Sequence, residues 1–522
     1  MMGGKDILIG IDAGTSVIKA VAFDLGGTQI AAAAVKNIYA SGPGGAATQG
    51  LDRTWQDCAQ ALRDLGEKVP DLARRTAALA VTAQGDGTWL AGAGHAPVGD
   101  AWIWLDARAA PTVDRLAALP ADAARFAATG TGLNTCQQGA QLAHMAATDP
   151  DLLDRAEVAL HCKDWLYLNL TGVRATDPSE ASFTFGNFRT RAYDDAVIDA
   201  LGLTAYRHLL PPIVDGTQTT HPLTDDAAAL IGLLPGTPVS LGYVDMVMTA
   251  LGAGVYTGEA GVGCSTIGST GVHMRAARTT DFVINAARTG YAILLPVPGM
   301  VTQVQTNMAA TLNLDWALAL AGDLLSEFGT TASHADLVGH VDRWLAHSTP
   351  GALVYHPYIS DAGERGPFVN AQARASLIGL SGQHRFADVL RAVVEGLGMA
   401  TRDCYAAMGD MPQELRLTGG AARSKALRQI ISAAVGAPIR VSSREEAGAA
   451  GAAMMAAVAI GVYPDMRACI DAWVTPLLGP SEAPDAAQTA TYADLYRSYT
   501  TSRDALPPVW DQMAAHRTGE PT

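Results

Sequence analysis

Residues 7–36 read ILIGI (7–11), DAGTS (12–16), VIKAVAFD (17–24), LGG (25–27) and TQIAAAAVK (28–36), and this stretch decides the fold. A short apolar run closed by a polar turn has the pattern of a buried strand. Residues 17–24 and 28–36 add two more strands, with Gly26-Gly27 supplying the turn between them. The outcome is a meander of three antiparallel strands joined by tight turns. From Asp52 the period changes. Trp55, Cys58, Ala59 and Leu62 recur at helical spacing. Ala77–Val81 returns to a short strand that ends in TAQGDG (82–87). Strands alternating with helices in this way predict α/β layers.

Further along, the middle region is rich in turns and carries Pro211-Pro212. It ends in TPVSLGYVDMVMTALGAG (237–254), read as a strand at Pro238–Gly242 and a helix opening near Asp245. A new strand system begins at Gly261, in GVGCSTIGSTGVHM, so a domain boundary is placed near 252–258. The pattern then predicts helix 386–408, strand 414–418, a Gly419-Gly420-Ala421 loop, helix 423–435, strand 438–442 and helix 445–461. Residues 477–487 read as a linker and 488–515 as one terminal helix. A weak internal echo links the halves. Strand–turn–strand occurs at Asp12-Ala13-Gly14-Thr15 and again at Gly268-Ser269-Thr270-Gly271. Halves facing each other through such turns would enclose a cleft.

Length and composition narrow the function. A chain of 522 residues is expected to hold two large domains or three ordinary ones. With 36 Lys+Arg against 51 Asp+Glu the net charge is −15, which opposes binding to nucleic acid or an anionic membrane surface. The six cysteines form no C-x-x-C pair, so neither a zinc ribbon nor a disulfide framework is expected, and a reducing cytoplasm fits. The start of the chain meets a charge at Asp12, unlike a signal peptide. The longest apolar stretch, Ala447–Tyr463, is slightly short for a membrane span of ~20 residues. It reads as a helix inside a domain, with Gly448 and Gly451 admitting another backbone.

No P-loop, G-x-G-x-x-G fingerprint, H-E-x-x-H or G-x-S-x-G occurs in the right context, which removes the usual nucleotide-binding, zinc-protease and serine-hydrolase signatures. Two carboxylates remain conspicuous. Asp12 ends a buried strand, where a charge is costly without a cation or donors. Beside it, Gly14, Thr15, Ser16 and Lys19 fit either a phosphate-binding turn or a plain hairpin with solvated charges. Asp245 fits either a helix cap or a functional carboxylate in the cleft.

Seven segments, in order along nearly the whole chain, resemble the family of sugar and polyol kinases that includes glycerol kinase and xylulokinase. They are IDAGTSVIKA; TAQGDG with WIWLDAR; CKDWLYLNLTG with ATDPSEAS; GYVDMVMTALGAG; YHPYISDAGERGPF; ASLIGLSGQHRFADVLRAVVEG; and LTGGAARSKALRQIISAAVGAPI with EEAGAAGAA. The resemblance implies an α/β protein of two actin/hexokinase-like, ribonuclease H-like domains flanking a catalytic cleft. Residues 1–254 would form the sugar-side domain, 255–480 the ATP-binding domain and 481–522 a C-terminal linker and helix. It implies transfer of a phosphoryl group from ATP, with Mg2+, to a terminal hydroxyl of a small polyol, a ketopentose being the alternative acceptor. A non-catalytic actin-like nucleotide-binding protein is the alternative of a different class.

Position by position, the resemblance makes Asp245 the general base and Asp12 the carboxylate near magnesium, through water. Gly14, Thr15, Ser16 and Lys19 match the first phosphate loop, and Gly268 and Ser269 the second. Gly420, Ala421 and Ser424 match adenine and ribose contacts. Gln84, Asp86, Trp104 and Asp106 match the substrate side. Asp86 stands where xylulokinases carry His. No nucleic-acid or membrane partner is expected, and a homodimer is.

Overall fold

The computed structural model describes residues 4–518. Strands β1 (Ile7–Ala13), β2 (Val17–Asp24) and β3 (Gln29–Lys36) pair antiparallel in series, as the opening stretch predicts. On its other side β1 pairs parallel with β4 (Thr76–Ala83). β5 (Thr220–Pro222) and β6 (Pro238–Leu241) complete the sheet in the order β5-β6-β4-β1-β2-β3. β1 is central and covered on both faces, so it reads as a continuous apolar run instead of an alternating one. Its odd positions, Ile7, Ile9 and Ile11, pack toward helix α1 (Leu51–Lys68), which buries Trp55, Cys58 and Leu62. Between β4 and β5 lie helices α2 (Cys162–Thr171) and α3 (Pro178–Phe185). Helix α4 (Asp245–Ala253) follows β6.

A second six-stranded sheet is built from β7 (Val262–Ile267), β8 (Gly271–Arg278), β9 (Tyr291–Leu294), β10 (Met300–Asn307), β11 (Glu414–Thr418) and β12 (Ile439–Arg440). Its order is β9-β10-β8-β7-β11-β12. Each sheet therefore sets an antiparallel meander beside parallel strands reached by crossovers. The echo between the two turns is the sequence trace of this repeated topology, and the molecule is a two-domain α/β protein. Helices α5 (Phe386–Ala407) and α6 (Lys425–Val435) cover the second sheet in a shared core.

Helix α7 (Ala447–Ala459) comes late in the chain yet packs on the first sheet and on α4. Small residues make this possible. A Cβ on Gly10 would sit 2.0 Å from the Ala449 carbonyl oxygen, and one on Gly451 would sit 2.3 Å from that of Met248. The expectation of a neighbouring backbone holds at Gly451, whereas the space beside Gly448 is taken by the side chains of Asp12 and Thr249.

Three local expectations are corrected. Residues 477–487 are not a free linker. Leu478 and Glu482 bridge to Ser442 and Ile439, and the Glu482 carboxylate accepts from Arg428 at 3.0 and 3.1 Å. The single terminal helix is two, α8 (Ala486–Ala505) and α9 (Pro507–Thr518). Pro507-Pro508 lacks the amide hydrogens a continuous helix needs and fits a first turn instead. The strand expected at 438–442 shrinks to Ile439–Arg440. Residues 519–522 of the C-terminal segment lie outside the described part. Among the described residues, no helix is long and apolar enough to cross a membrane.

Candidate active site

Two cavities lie beside the turns that the sequence singles out. The smaller, about 320 Å³, is lined from the first domain by Thr15, Gln84, Asp86, Trp104, Cys136 and Asp245, and from the second by Thr270, Tyr291 and Arg365. The larger, about 630 Å³, is lined by Asp12, Lys19, Thr249, Gly419, Gly420, Arg423 and Glu446. Thr15 in the turn after β1 lines the smaller, and Asp12 and Lys19 on the strands flanking that turn line the larger.

The loop after β4 aims Asp86. Its φ is 57°, a left-handed conformation that a non-glycine residue adopts at a cost. Gly87 next to it has φ 78°, and a Cβ there would sit 2.6 Å from the Trp102 carbonyl oxygen. The Asp86 carboxylate is buried, which raises its pKa. The Cys136 thiol, His161, the Tyr291 hydroxyl and Arg365 oppose that shift. Among the described residues, its Oδ1 has no hydrogen-bond partner.

Asp245 opens α4 as its first helical residue, after Val244. Val244 is the N-cap and makes no side-chain capping bond, while the Asp245 carboxylate itself accepts from the Met246 N–H. Burial and the nearby charge of Asp12 push the Asp245 carboxyl up to about 7, against the N–H of Met246 and of Gly85. A basicity near neutrality suits proton abstraction from an alcohol.

Behind it lies a charged support. Lys163 on α2 is fully buried and bridges Asp164 and Asp177, each at 2.7 Å. Asp177 caps α3 through the Ser179 N–H, and the Ser179 hydroxyl accepts the N–H of Val244 at 3.2 Å. The CKDW and TDPSEAS segments thus anchor the residue before Asp245.

In the larger cavity, Asp12 is pushed up to about 6 by burial, with Lys19 opposing and Glu446 assisting. Lys19 lies opposite Asp12 across the β1–β2 ladder and donates to Glu446 at 2.7 Å. A Cβ on Gly448 would meet Asp12 Oδ2 at 2.3 Å, so α7 approaches the carboxylate closely. Among the described residues, no three His, Cys, Asp or Glu side chains converge as a metal site.

Several expected contacts sit elsewhere. Gly14 donates its N–H to the Val17 carbonyl and Gly268 donates its own to that of Thr270, each at 3.0 Å. Both amides close their turns, so Thr15, Ser16 and Ser269 carry the remaining turn amides. The Thr15 hydroxyl lies between Trp104 and Gln84. Gln84 also donates to Gln49 at 2.6 Å. Asp106 does not line the smaller cavity. Its carboxylate holds the Ala47 N–H at 2.9 Å and the Arg108 guanidinium. Gly420 lines the larger cavity, Ala421 is buried in the core, and Ser424 caps α6 while donating to Asp342 at 2.7 Å.

The sequence reading missed Cys136, Tyr291, Arg365 and Glu446. Arg365 and Glu446 fall inside quoted segments, so proximity to a motif was a usable signal, whereas Cys136 lies in none of them. Tyr291 sits in an ordinary apolar strand, YAIL, with no local mark.

The FGGY family of carbohydrate kinases matches this chain twice, its N-terminal domain over residues 7–252 and its C-terminal domain over residues 263–460. The chain is 70% identical over 510 residues to the erythritol kinase of Brucella abortus, covering 98% of each. It is 28% identical to the xylulose kinase of Escherichia coli, over 93% of this chain and 96% of that one. Among solved structures, the gluconate kinase of Lactobacillus acidophilus shares the fold. Its TM-score is 0.87 at 19% identity, over 97% of this chain and 99% of that one.

Proposed function

This chain belongs to the FGGY family of carbohydrate kinases and is an ATP-dependent sugar or polyol kinase; we propose that its acceptor is erythritol, phosphorylated on a terminal hydroxyl. What carries the reading is Asp245, a carboxylate of raised basicity, in a small cavity beside the glycine-lined cavity of Asp12 and Lys19. The strong identity to an erythritol kinase supports the choice of acceptor.

Such chemistry consists mostly of positioning and charge stabilisation. The polyol occupies the smaller cavity. Trp104 offers an apolar face to the carbon chain, Asp86 accepts from a hydroxyl, and Asp245 takes the proton of the attacking hydroxyl. Gln84 holds Thr15 in this wall, and Asp106 fixes its own loop through Arg108 and Ala47. On the nucleotide side, the turn amides of Thr15, Ser16 and Ser269 and the ammonium of Lys19 receive phosphate oxygens, and Gly420 and its loop face the adenosine. Residues 1–254 carry most of the polyol side and the first phosphate turn, and 255–480 carry the second phosphate turn and the adenosine loop.

Asp12 suits magnesium. It is one buried carboxylate with its pKa raised, in the manner of a group awaiting a cation. A single carboxylate is enough for an ion that keeps waters and phosphate oxygens as its other ligands. When bound with ATP, the ion neutralises charge on the transferring phosphoryl group. The six cysteines are all unpaired and buried, which supports a cytoplasmic enzyme. A homodimer is part of the same reading, and sedimentation of the purified protein tests it.

The deciding experiment is ADP release with erythritol, both threitols, glycerol, xylitol, ribitol and D- and L-xylulose. A carboxylate at position 86 only accepts hydrogen bonds, so it favours a polyol with a hydroxyl proton at every carbon over a ketose. Erythritol should exceed L-xylulose by at least ~10²-fold in kcat/KM. Ketopentoses outperforming every tetritol would overturn the acceptor assignment.

A further inference from the structure

We propose that Cys136 and Tyr291 are positioning residues for polyol recognition: together they hold Oδ2 of Asp86, so that Oδ1 is presented to a substrate hydroxyl. The inference rests on the assignment of a small polyol to the smaller cavity and deepens it.

The two oxygens of Asp86 have different surroundings. Oδ2 accepts from the Cys136 thiol at 3.3 Å and from the Tyr291 hydroxyl at 3.4 Å. Oδ1 has no partner, although Asp86 is only 6% exposed. A buried acceptor left unsatisfied is costly, and a bound hydroxyl relieves that cost. Both donors are directed. The Tyr291 oxygen accepts from Asn134 Nδ2 at 3.2 Å and lies 3.8 Å from the Cys136 sulfur, which leaves the Asp86 carboxylate as the stronger acceptor for its proton. Burial and the Asp86 charge push the Cys136 thiol well above its ordinary range, so it keeps its proton and stays a donor.

Tyr291 belongs to β9 of the second domain, whereas Asp86 belongs to the first. This strand is stitched across the domain boundary. Gly132 donates to the Gly290 carbonyl at 2.9 Å, and the Ala292 N–H donates to Thr131 Oγ1 at 3.1 Å. The Tyr291 ring also meets Phe183 edge-on at 5.7 Å. The second domain thus supplies part of the polyol wall as well as the nucleotide side. Asp86 sits in a left-handed backbone conformation, and two donors from different elements are what hold its carboxylate in one orientation.

The test is steady-state kinetics on the full-length enzyme with erythritol and ATP varied separately. The variants are Tyr291→Phe, Cys136→Ala and Cys136→Ser. Tyr291→Phe and Cys136→Ala should each raise KM for erythritol by ~10-fold, with kcat and KM for ATP held within ~2-fold. Cys136→Ser keeps a donor and should recover most of the loss. Erythritol KM values unchanged in all three, Ser no better than Ala, or a uniform fall in kcat with both KM values disturbed would each overturn the positioning role. A wild-type enzyme that ignores erythritol would instead overturn the acceptor assignment, and the same variants are then read with the polyol it does use.

Discussion

The indole N–H of Trp104 donates to the hydroxyl of Thr15 at 2.8 Å, joining one wall of the smaller cavity to the turn that follows the first strand. Thr15 in turn donates to Gln84 Oε1 at 2.9 Å. One hydroxyl thus orients two residues of the smaller cavity. Thr15→Val keeps the shape and removes both bonds. KM for erythritol should rise by ~5–20-fold, the scale of one or two lost neutral hydrogen bonds, with a smaller change for ATP. An effect confined to ATP would mean that the hydroxyl serves phosphate alone.

Asp245→Asn retains the side-chain shape and removes the basicity. Turnover should drop by at least ~10²-fold. The Asn oxygen can still accept from the N–H groups of Met246 and Gly85 that the carboxylate holds, so the melting temperature should hold or rise slightly. Retention of most activity would take Asp245 out of the proton transfer.

The pH dependence has a definite sign. The Asp245 carboxyl is raised to about 7 in the folded protein, and a base must be ionised to act. kcat/KM should therefore fall as pH drops through ~7, with a plateau above it. Stability moves the other way. A carboxyl whose folded pKa lies above its unfolded value of ~3.9 binds protons better when folded. Its contribution is complete below that unfolded value and is lost as pH rises through about 7. In the free enzyme, Asp245→Asn should flatten the stability profile across this window. An unchanged profile would place the titration elsewhere.

Lys19 is tied to Glu446 at 2.7 Å, across a cavity that also contains Asp12. If the ammonium serves phosphate, Lys19→Ala should raise KM for ATP by ~10-fold or more and leave KM for erythritol nearly intact. Equal ATP kinetics in variant and wild type would reduce Lys19 to a partner of Glu446.

Lys163 tests the support beneath the base. Lys163→Met leaves Asp164 and Asp177 buried without their shared cation, a loss of about 3–5 kcal/mol for a broken buried pair. Chemical denaturation should show a loss of that order. A loss below ~1 kcal/mol would place the variant in the range of an exposed ion pair and remove the network from the scaffold of Asp245.

The fold was legible because its elements are locally written. The strand–turn–strand of residues 7–24 closes on its own neighbours, and α1 carries its apolar stripe in its own period. Asp12 and Asp245 were legible for a related reason: one stands near the end of a buried strand and the other at the start of a helix, where a carboxylate needs an explanation, whereas Asp86 entered through the resemblance of its loop.

Other features depend on chain segments far apart in sequence. That α7 crosses to the first sheet follows from Gly10 meeting Ala449 and Gly451 meeting Met248, which no local pattern encodes. That Asp106 turns away to Arg108 and Ala47, and that Gly14 and Gly268 spend their amides inside their own turns, are matters of hydrogen-bond geometry, which residue type leaves open. Tyr291 reaches Asp86 from 205 residues away, because β9 is pinned to the loop around Thr131. The amino-acid sequence by itself determined most of the elements and the position of the domain boundary, since those follow from burial and period, while the roles of the carboxylates rested on the resemblance to the sugar and polyol kinases. Which oxygen of Asp86 is held and which is free was decided only by the tertiary structure, because a side chain's hydrogen-bond partners are chosen by packing between distant segments.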